Sequence, residues 1–343
     1  MEAAFFPSLL TEARPLSAAA GAGCGIAAST PATVRAASAA RLSSLAPKSY
    51  LSHRTTFISP CMEPLIALFC NPSSDNARAL RMTDEVGLHL KRRGIPFMAF
   101  TDGWPASLSR FTQVWIVGGD GTLNYFINQF PDVRVPLAAI PGGSGNDFHW
   151  MLYNGELALP QLVERLLQGN TRAIDAGSCN GRLFLNGLGI GFDGAIVRDL
   201  LGKKKLAGKA SYLLSVLKHI LTYQESSVGV LADGTEYRKN ALLLSVANGT
   251  RYGGDFLVAP KTVPDDGLLD INFVGAIAPL QRMRYLPVIE RGEHLELPFV
   301  WYRQAADIVI ECAQELPAHL DGEYLKAARF EVRCLPKKFV FFV

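Results

Sequence analysis

Residues 113–130, QVWIVGGDGTLNYFINQF, constrain what this chain can fold into more than any other stretch. The apolar run Val114 to Val117 leads straight into Gly118, Gly119, Asp120, Gly121 and Thr122, and a helix is expected from about Leu123. At the carboxyl end of a parallel strand, glycines let main-chain N–H groups approach phosphate oxygens closely. The positive end of the helix that follows favours negative charge. A bare Asp120 would repel phosphate, so its place in the turn suggests a bridging Mg²⁺. The same residues also fit a tight strand-to-helix turn with Asp120 as cap.

A second turn of like design decides between the two. The run Leu137 to Ile140 ends in Pro141, Gly142, Gly143, Ser144, Gly145, Asn146 and Asp147. Two such loops at one sheet edge would hold a nucleotide from both sides. Neither is a common nucleotide signature, since no GxxxxGK[ST] occurs and the GxGxxG spacing fails after these strands. Nor is Ser144 on a nucleophile elbow, because GxSxG would need glycine at Asn146.

Around these turns, apolar runs alternate with helix-like stretches: 65–70, 77–93, 95–100, 114–117, 123–130 and 137–140, with another helix over 160–168. That rhythm predicts a parallel sheet with helices on its faces over residues 62–175. From about residue 176 the texture changes to strand-like runs at 227–231, 241–247, 268–274, 307–311, 329–333 and 338–343, broken by Gly, Pro and Asp. These predict an antiparallel sandwich or barrel over 176–329, with the tail from about 330 returning to the first domain. The fold class is thus α/β plus all-β, with a cleft expected between the two domains. One helix interrupts the second half, with Leu206, Ala210, Leu213, Leu214, Leu217 and Leu221 on one stripe and Lys203, Lys204, Lys205, Lys209 and Lys218 around it. It reads either as a helix packed on the sandwich with solvated lysines, the expected case, or as one resting on an anionic membrane.

Residues 1–61 are Ala- and Ser-rich and carry five basic side chains against Glu2 and Glu12. Their composition suits an organelle transit peptide or sequence ahead of a true start at Met62, and the segment is set aside from the fold. Subtracting those five and two from 34 basic and 31 acidic residues leaves 29 of each sign, so the body is neutral and nucleic acid is not an expected partner. The six cysteines form no CxxC pair, which suggests reduced thiols, a cytoplasmic setting and no structural zinc. No run of 18 apolar residues occurs, so any membrane contact is expected to be peripheral.

The chain resembles the diacylglycerol kinase catalytic domain superfamily, which includes sphingosine and ceramide kinases and bacterial lipid kinases. The likeness covers nearly all of residues 64–343 and rests on an ordered set of motifs. These are Asn71 to Ser74, the GGDGT turn with Asn124, Gly142 to Asp147, Asn186 to Asp193, Asn248-Gly249 with Gly253-Gly254, Pro264 to Asp270, and Asp321-Gly322-Glu323. GGDGT alone is shared with NAD kinases and phosphofructokinases, whereas the ordered set is specific.

The resemblance implies a Rossmann-like nucleotide domain followed by a β-sandwich, ATP and Mg²⁺ as cofactors, and a lipid hydroxyl as acceptor. Diacylglycerol is the first expected acceptor and sphingoid bases the next. It places the nucleotide on Asn71, Thr101, Gly118, Gly119, Asp120, Gly121, Thr122, Asn124, Gly143, Ser144 and Asn146. It puts catalytic carboxylates at Asp120, Asp147 and Glu323, the last as base. A structural Mg²⁺ site maps onto Asp266 with the carbonyls of Val263 and Leu268, and the same Asp266-Gly267 also reads as a hairpin turn. Asn186, Phe192 and Asp193 are expected to be turn and packing residues. Three positions depart from the pattern: Tyr125 stands where the family commonly has Glu, Asp75 where it has Gly, and His149 where it has a small residue. Two other readings stand beside lipid kinase: a soluble-substrate kinase of NAD kinase type, and a silent nucleotide- or lipid-binding protein.

Overall fold

The computed structural model describes residues 65–71, 78–201, 209–253 and 256–343. Residues 1–61, Asp75, Lys203 to Lys205 and Gly254 therefore lie outside the described residues.

Four parallel strands organise the first half: β1 (Ile66–Cys70), β2 (Phe97–Phe100), β3 (Gln113–Gly118) and β4 (Leu137–Pro141), in the order β4-β3-β1-β2. Every residue of β1 and β4 is buried. They read as unbroken apolar runs because helices cover both faces of the sheet. One face, with Ile66, Leu68, Trp115 and Val117, packs on α1 (Arg78–Arg92) and α4 (Leu159–Leu167) through Ala79, Val86, Leu90, Leu162 and Leu166. The other, with Ala67, Phe69, Val114 and Ile116, meets Leu123, Phe126 and Ile127 of α2 (Asp120–Gln129) and Phe148 of α3 (Asp147–Tyr153). Helix α2 begins at Asp120 and not at Leu123, so the aspartate sits in its first turn, where the dipole favours it.

The second half is antiparallel and β-rich. It comprises β5 (Thr171–Cys179), β6 (Arg182–Phe184), β7 (Gly187–Gly191), β8 (Ser226–Ala232), β9 (Thr235–Ala247), β10 (Leu269–Gly275), β11 (Val300–Ala305), β12 (Asp307–Leu320) and β13 (Glu323–Phe342). Strand β12 changes partner at an irregularity between Glu311 and Leu316, pairing first with β8 and then with β7. Strand β9 does the same, from β8 to β7. Two strands that switch partners fold the sheet around one core, in which Leu188, Ile190, Val228, Val230, Leu244, Val246, Phe273 and Ile310 meet.

Strand β13 sews the halves together. Its first part pairs with β12, its last part with β5, and Phe341 pairs in parallel with Leu137 of β4. The two runs expected at 329–333 and 338–343 are one strand, with a register shift between Leu335 and Phe339. Phe330, Phe339 and Phe341 along it are buried. Each stabilises the join by about 1.5–3 kcal/mol.

Outside the β core lie α5 (Phe192–Leu200), α6 (Lys209–Thr222) and α7 (Pro279–Glu290). Helix α6 departs from expectation. Leu214, Leu217 and Leu221 of the anticipated core stripe are 70%, 40% and 60% exposed, while Val216 and Ile220 are buried with Ile196. The sequence KASYLLSVLKHILT is apolar on two faces, and the helix packs on the other one. Arg282, itself buried, locks α7 to the end of α6 by donating to the carbonyls of Ile220 and Tyr223 and to Glu225.

Candidate active site

The two glycine turns pack main chain on main chain. A Cβ on Gly119 would lie 2.6 Å from the carbonyl oxygen of Gly145, and one on Gly143 would lie 2.6 Å from the nitrogen of Gly119. No side chain fits there, so glycine is required at both positions by close approach. Gly142 meets α1 in the same way, 3.0 Å from the Cβ of Ala79. Asn146 closes the second turn on itself, accepting from Gly143 N at 3.1 Å and donating to Gly143 O at 2.9 Å. Asn71, just after β1, donates to Thr122 Oγ1 at 3.5 Å, and Thr122 in turn fills the space above Gly118. Asn71, Gly118, Gly119, Thr122, Gly143 and Asn146 therefore share one edge of the parallel strands. Ser144 is exposed at the tip of the second turn.

Asp120 clamps these turns together. Its Oδ2 accepts from Asp147 N at 2.9 Å and its Oδ1 from Phe148 N at 3.0 Å, so the carboxylate caps the start of α3. The cap sought from sequence exists, but it serves the neighbouring helix. Burial and the nearby Asp147 push the Asp120 carboxyl up to about 7, against the pull of those two N–H groups. Asp147 is buried beneath it and accepts from Arg251 Nε at 2.7 Å. The Arg251 guanidinium also lies 4.6 Å over the Trp150 ring. Arg251 went unnoticed in the sequence, where it merely follows Asn248, Gly249 and Thr250.

Asp321, named in the sequence only as part of the Asp321-Gly322-Glu323 motif, makes a second long-range link. Its carboxylate accepts from the main-chain N–H groups of Leu185, Asn186 and Gly187 at 2.8, 2.9 and 2.9 Å, and from Asn124 Nδ2 at 3.0 Å. Burial raises its pKa and the four donors oppose the rise. Asp321 thereby joins α2 to the loop ahead of β7, and its φ of 48° turns the chain from β12 into β13. Asn124, expected against a nucleotide, is buried and spends its amide on Asp321 and on Leu183 O at 3.0 Å. A side chain enclosed in this way ties the two halves together and does not face the turn's open side.

Glu323 stands two residues past this hub. Its Oε1 is 3.2 Å from where a Cβ on Gly121 would be, so the exposed carboxylate lies against the first glycine turn. Asp120 and Glu323 thus flank Gly121 from opposite ends of the sequence. His319 holds the turn that carries Glu323, its Nδ1 accepting from Gly322 N at 3.2 Å. Burial drives the His319 pKa down to about 4, so the ring is neutral.

Other expected residues fall around this centre or apart from it. Thr101 sits at the end of β2, bonded to neighbouring Asp102 at 3.5 Å. Tyr125 is 51% exposed and packs on Trp104 at 5.0 Å between ring centroids, so the position that commonly holds Glu carries an aromatic surface. His149 is buried, with Nδ1 2.8 Å from Ala139 O. Asp266 is exposed and accepts at Oδ1 from Leu268 N at 3.0 Å, within a turn where Gly267 has φ 81°. That turn hangs from Asp175, whose carboxylate accepts from Gly267 N at 2.7 Å and Lys337 N at 2.6 Å. Val263 is exposed beside it. Among the described residues no three His, Cys, Asp or Glu side chains gather as a metal cluster.

The second half contains a hollow. It is an apolar hollow lined by Phe192, Val216, Ile220, Leu243 and Tyr285 of the helical shell and sheet, with Asp193 and Tyr252 on its polar side. Tyr252 OH donates to Asp193 Oδ2 at 2.8 Å, and burial pushes the Asp193 carboxyl up to about 6. Asp193, expected as a turn residue, lines this hollow.

Two family models match the chain in series: the diacylglycerol kinase catalytic domain over residues 66–179, and the YegS C-terminal NAD kinase beta sandwich-like domain over residues 187–343. The chain is 28% identical over 222 residues to a diacylglycerol kinase of Bacillus subtilis, covering 64% of this chain and 73% of that protein. It is 30% identical over 223 residues to a Pseudomonas aeruginosa protein named "Probable lipid kinase YegS-like", covering 64% and 72%. A crystal structure of a diacylglycerol kinase from Bacillus anthracis superimposes with TM-score 0.64 at 22% identity, over 82% of this chain and 96% of that one, a likeness of fold. These matches define a phosphotransferase that acts on an alcohol group. Within that class, the chain belongs to the diacylglycerol kinase-like lipid kinase superfamily.

Proposed function

We propose that this protein transfers the γ-phosphoryl group of ATP to the hydroxyl of a membrane lipid, with diacylglycerol the first acceptor and sphingoid bases the next. The observation that carries the reading is the meeting of Glu323 with the Gly121 turn, where an exposed carboxylate lies against the first glycine turn. The first half is read as a Rossmann-like nucleotide domain. Gly118 to Thr122 and Gly143 to Asn146 would cradle the phosphates, with Thr101 and Asn71 beside them.

In this reading the lipid hydroxyl approaches from the second half and gives its proton to Glu323. Its oxygen forms the new bond to the γ-phosphorus as the bond to the bridging oxygen breaks, and ADP leaves with that electron pair. Asp120 positions the two turns through α3, and Arg251 holds Asp147 in place. Burial, and after it the neighbouring Asp147, raise the Asp120 carboxyl, so a bound Mg²⁺ would be held by a carboxylate that also caps α3. Bound there, Mg²⁺ would neutralise phosphate charge. The exposed turn of Asp266, with main-chain oxygens of Val263 and Leu268, is assigned as a second, structural Mg²⁺ position. The protein is taken to work at the surface of a membrane; among the described residues no helix is long and apolar enough to cross one.

The test is incubation with labelled ATP, Mg²⁺ and a panel of lipids in mixed micelles, beside NAD as a soluble acceptor. Labelled lipid is expected. Glu323→Gln should lower transfer by roughly 10²- to 10⁴-fold with ATP binding retained. Full transfer in that variant, or label on NAD alone, overturns the assignment.

A further inference from the structure

The loop that follows β9 gives one side chain to each half of the molecule. Arg251 reaches the first half, donating to Asp147 in the first turn of α3 at 2.7 Å, with its guanidinium 4.6 Å over Trp150. Tyr252 stays in the second half. Its hydroxyl donates to Asp193 Oδ2 at 2.8 Å, and its ring meets His319 edge to face with 5.4 Å between centroids. Consecutive residues of an extended chain point to opposite sides, and Tyr252 pairs with Phe256 as a strand residue does. The two sets of contacts are therefore the two faces of one short segment.

His319 carries the second contact on to the proposed base. Gly189 of β7 lies opposite it, and a Cβ there would be 2.5 Å from His319 Nε2, so the ring is wedged between that main chain and Tyr252. Its Nδ1 accepts from Gly322 N at 3.2 Å, which leaves the ring proton on Nε2. Asp321 and Gly322 have φ of 48° and 88°, and Leu320 faces Glu323 across them, a two-residue hairpin with both central residues left-handed. Glu323 is the first residue of β13 and its carboxylate is exposed. An exposed side chain keeps rotamer freedom, so the place of this hairpin governs where the carboxylate meets Gly121. Proton transfer needs the base within about 3 Å of the acceptor oxygen, and a misplacement of about 1 Å costs on the order of 100-fold.

We infer that Arg251 and Tyr252 form a strut that sets the spacing between the glycine turns and the Glu323 carboxylate, with Tyr252 and His319 as positioning residues for that base. The inference rests on the lipid-kinase reading, in which Glu323 takes the hydroxyl proton, and adds the residues that fix where the carboxylate stands.

The experiment measures transfer from labelled ATP to diacylglycerol in mixed micelles by the full chain, with ATP affinity by calorimetry and thermal unfolding beside it. His319→Leu removes the acceptor of the Gly322 N–H, and Tyr252→Leu removes the ring behind it. Each should lower kcat roughly 10- to 100-fold, with KM for ATP and ATP affinity within about twofold of the parent's. His319→Asn, whose Oδ1 stands where Nδ1 stood, should recover most of the loss. Because these residues act through Glu323, neither leucine substitution should lower kcat further beside Glu323→Gln. Arg251→Lys keeps a charge for Asp147 but gives up the guanidinium's place over Trp150, and a smaller loss in the same pattern is expected. Tyr252→Phe gives up only the bond to Asp193; a loss of roughly three- to tenfold, again absent beside Glu323→Gln, decides the case should a leucine variant not fold. Parental kcat in the variants overturns the inference. So do losses that multiply with that of Glu323→Gln, a His319→Asn no better than His319→Leu, or lowered ATP affinity with kcat unchanged, which would make the segment a structural tie alone. Any of these in an active parent leaves the kinase reading standing, whereas a parent that phosphorylates no lipid overturns that reading and the strut's role with it.

Discussion

The two sides of the proposed crevice are built on opposite principles. The nucleotide side is main chain against main chain, with Gly119 and Gly143 too close for a single Cβ and Asp120 fastening both turns to α3. The proposed acceptor side is side chains around a hollow, lined by Val216, Ile220, Leu243 and Tyr285. A triphosphate is the same in every turnover, so its seat can be rigid and made of groups that do not vary. A lipid chain differs in length and saturation, and a cavity walled by flexible apolar side chains tolerates such differences. In the proposed reading, one design would fix the reaction and the other would leave room for choice of acceptor.

The hub that joins the sides should show the largest effect. Asp321→Ala leaves three main-chain N–H groups and the Asn124 amide without their acceptor. A cost of about 3–5 kcal/mol is expected, as for removing one partner of a buried charged network. Urea unfolding checks it, and a loss below about 1 kcal/mol would mean that the halves are held chiefly by β13. Next comes the rigid side itself. Gly143→Ala puts a methyl group against Gly119, whose nitrogen is 2.6 Å away, so one turn must move. The expected outcome is an ATP affinity lowered about 100-fold, near 2.7 kcal/mol by calorimetry, with the cavity side unaffected. Unchanged ATP binding would break the contrast at its root.

Much of this was legible in the chain and some of it was not, for physical reasons. Strand-then-glycine spacing marks Gly118 to Thr122 and Gly142 to Asp147 because close approach is a local demand that only glycine meets. The alternation of strands and helices before residue 141 is likewise local. Asp120 was placed at the turns, but its service to α3 depends on two loops 27 residues apart meeting in space, which no period records. Asn124 was expected against the nucleotide; its bond to Asp321 could not be read from a local pattern because the partner lies 197 residues away. Arg251 carries no signature of its own and Asp321 only that of its motif; each acquires its role from a partner more than a hundred residues away. The α6 stripe was inverted because a helix that is apolar on two faces does not announce which one meets the core. Strand β5 was missed since TRAIDAGSC alternates weakly, and it owes its strand form to β13.

The smallest expected effect belongs to the permissive side and comes from its one buried acid. Asp193 is raised by burial from 3.8 to about 6, so the folded protein holds that proton more tightly than the unfolded chain between those values. The stability it contributes is therefore present in acid and lost as pH rises through about 6. Neighbouring His319 acts in the other direction: lowered from 6.5 to about 4, it removes stability as pH falls through that window. The two slopes largely offset each other in the parent protein between pH 4 and 6. Asp193→Asn keeps an oxygen for the Tyr252 hydroxyl and abolishes the charge. It should raise stability above pH 7 by on the order of 2 kcal/mol, with the gain vanishing towards pH 4 and the His319 slope laid bare. Thermal unfolding across that pH range measures the difference. A gain of the same size at every pH would mean that Asp193 binds its proton equally in the folded and unfolded chain, so that burial does not raise its pKa. A loss at every pH would mean that the carboxylate is needed by the fold, and the cavity would then belong with the rigid side of the molecule.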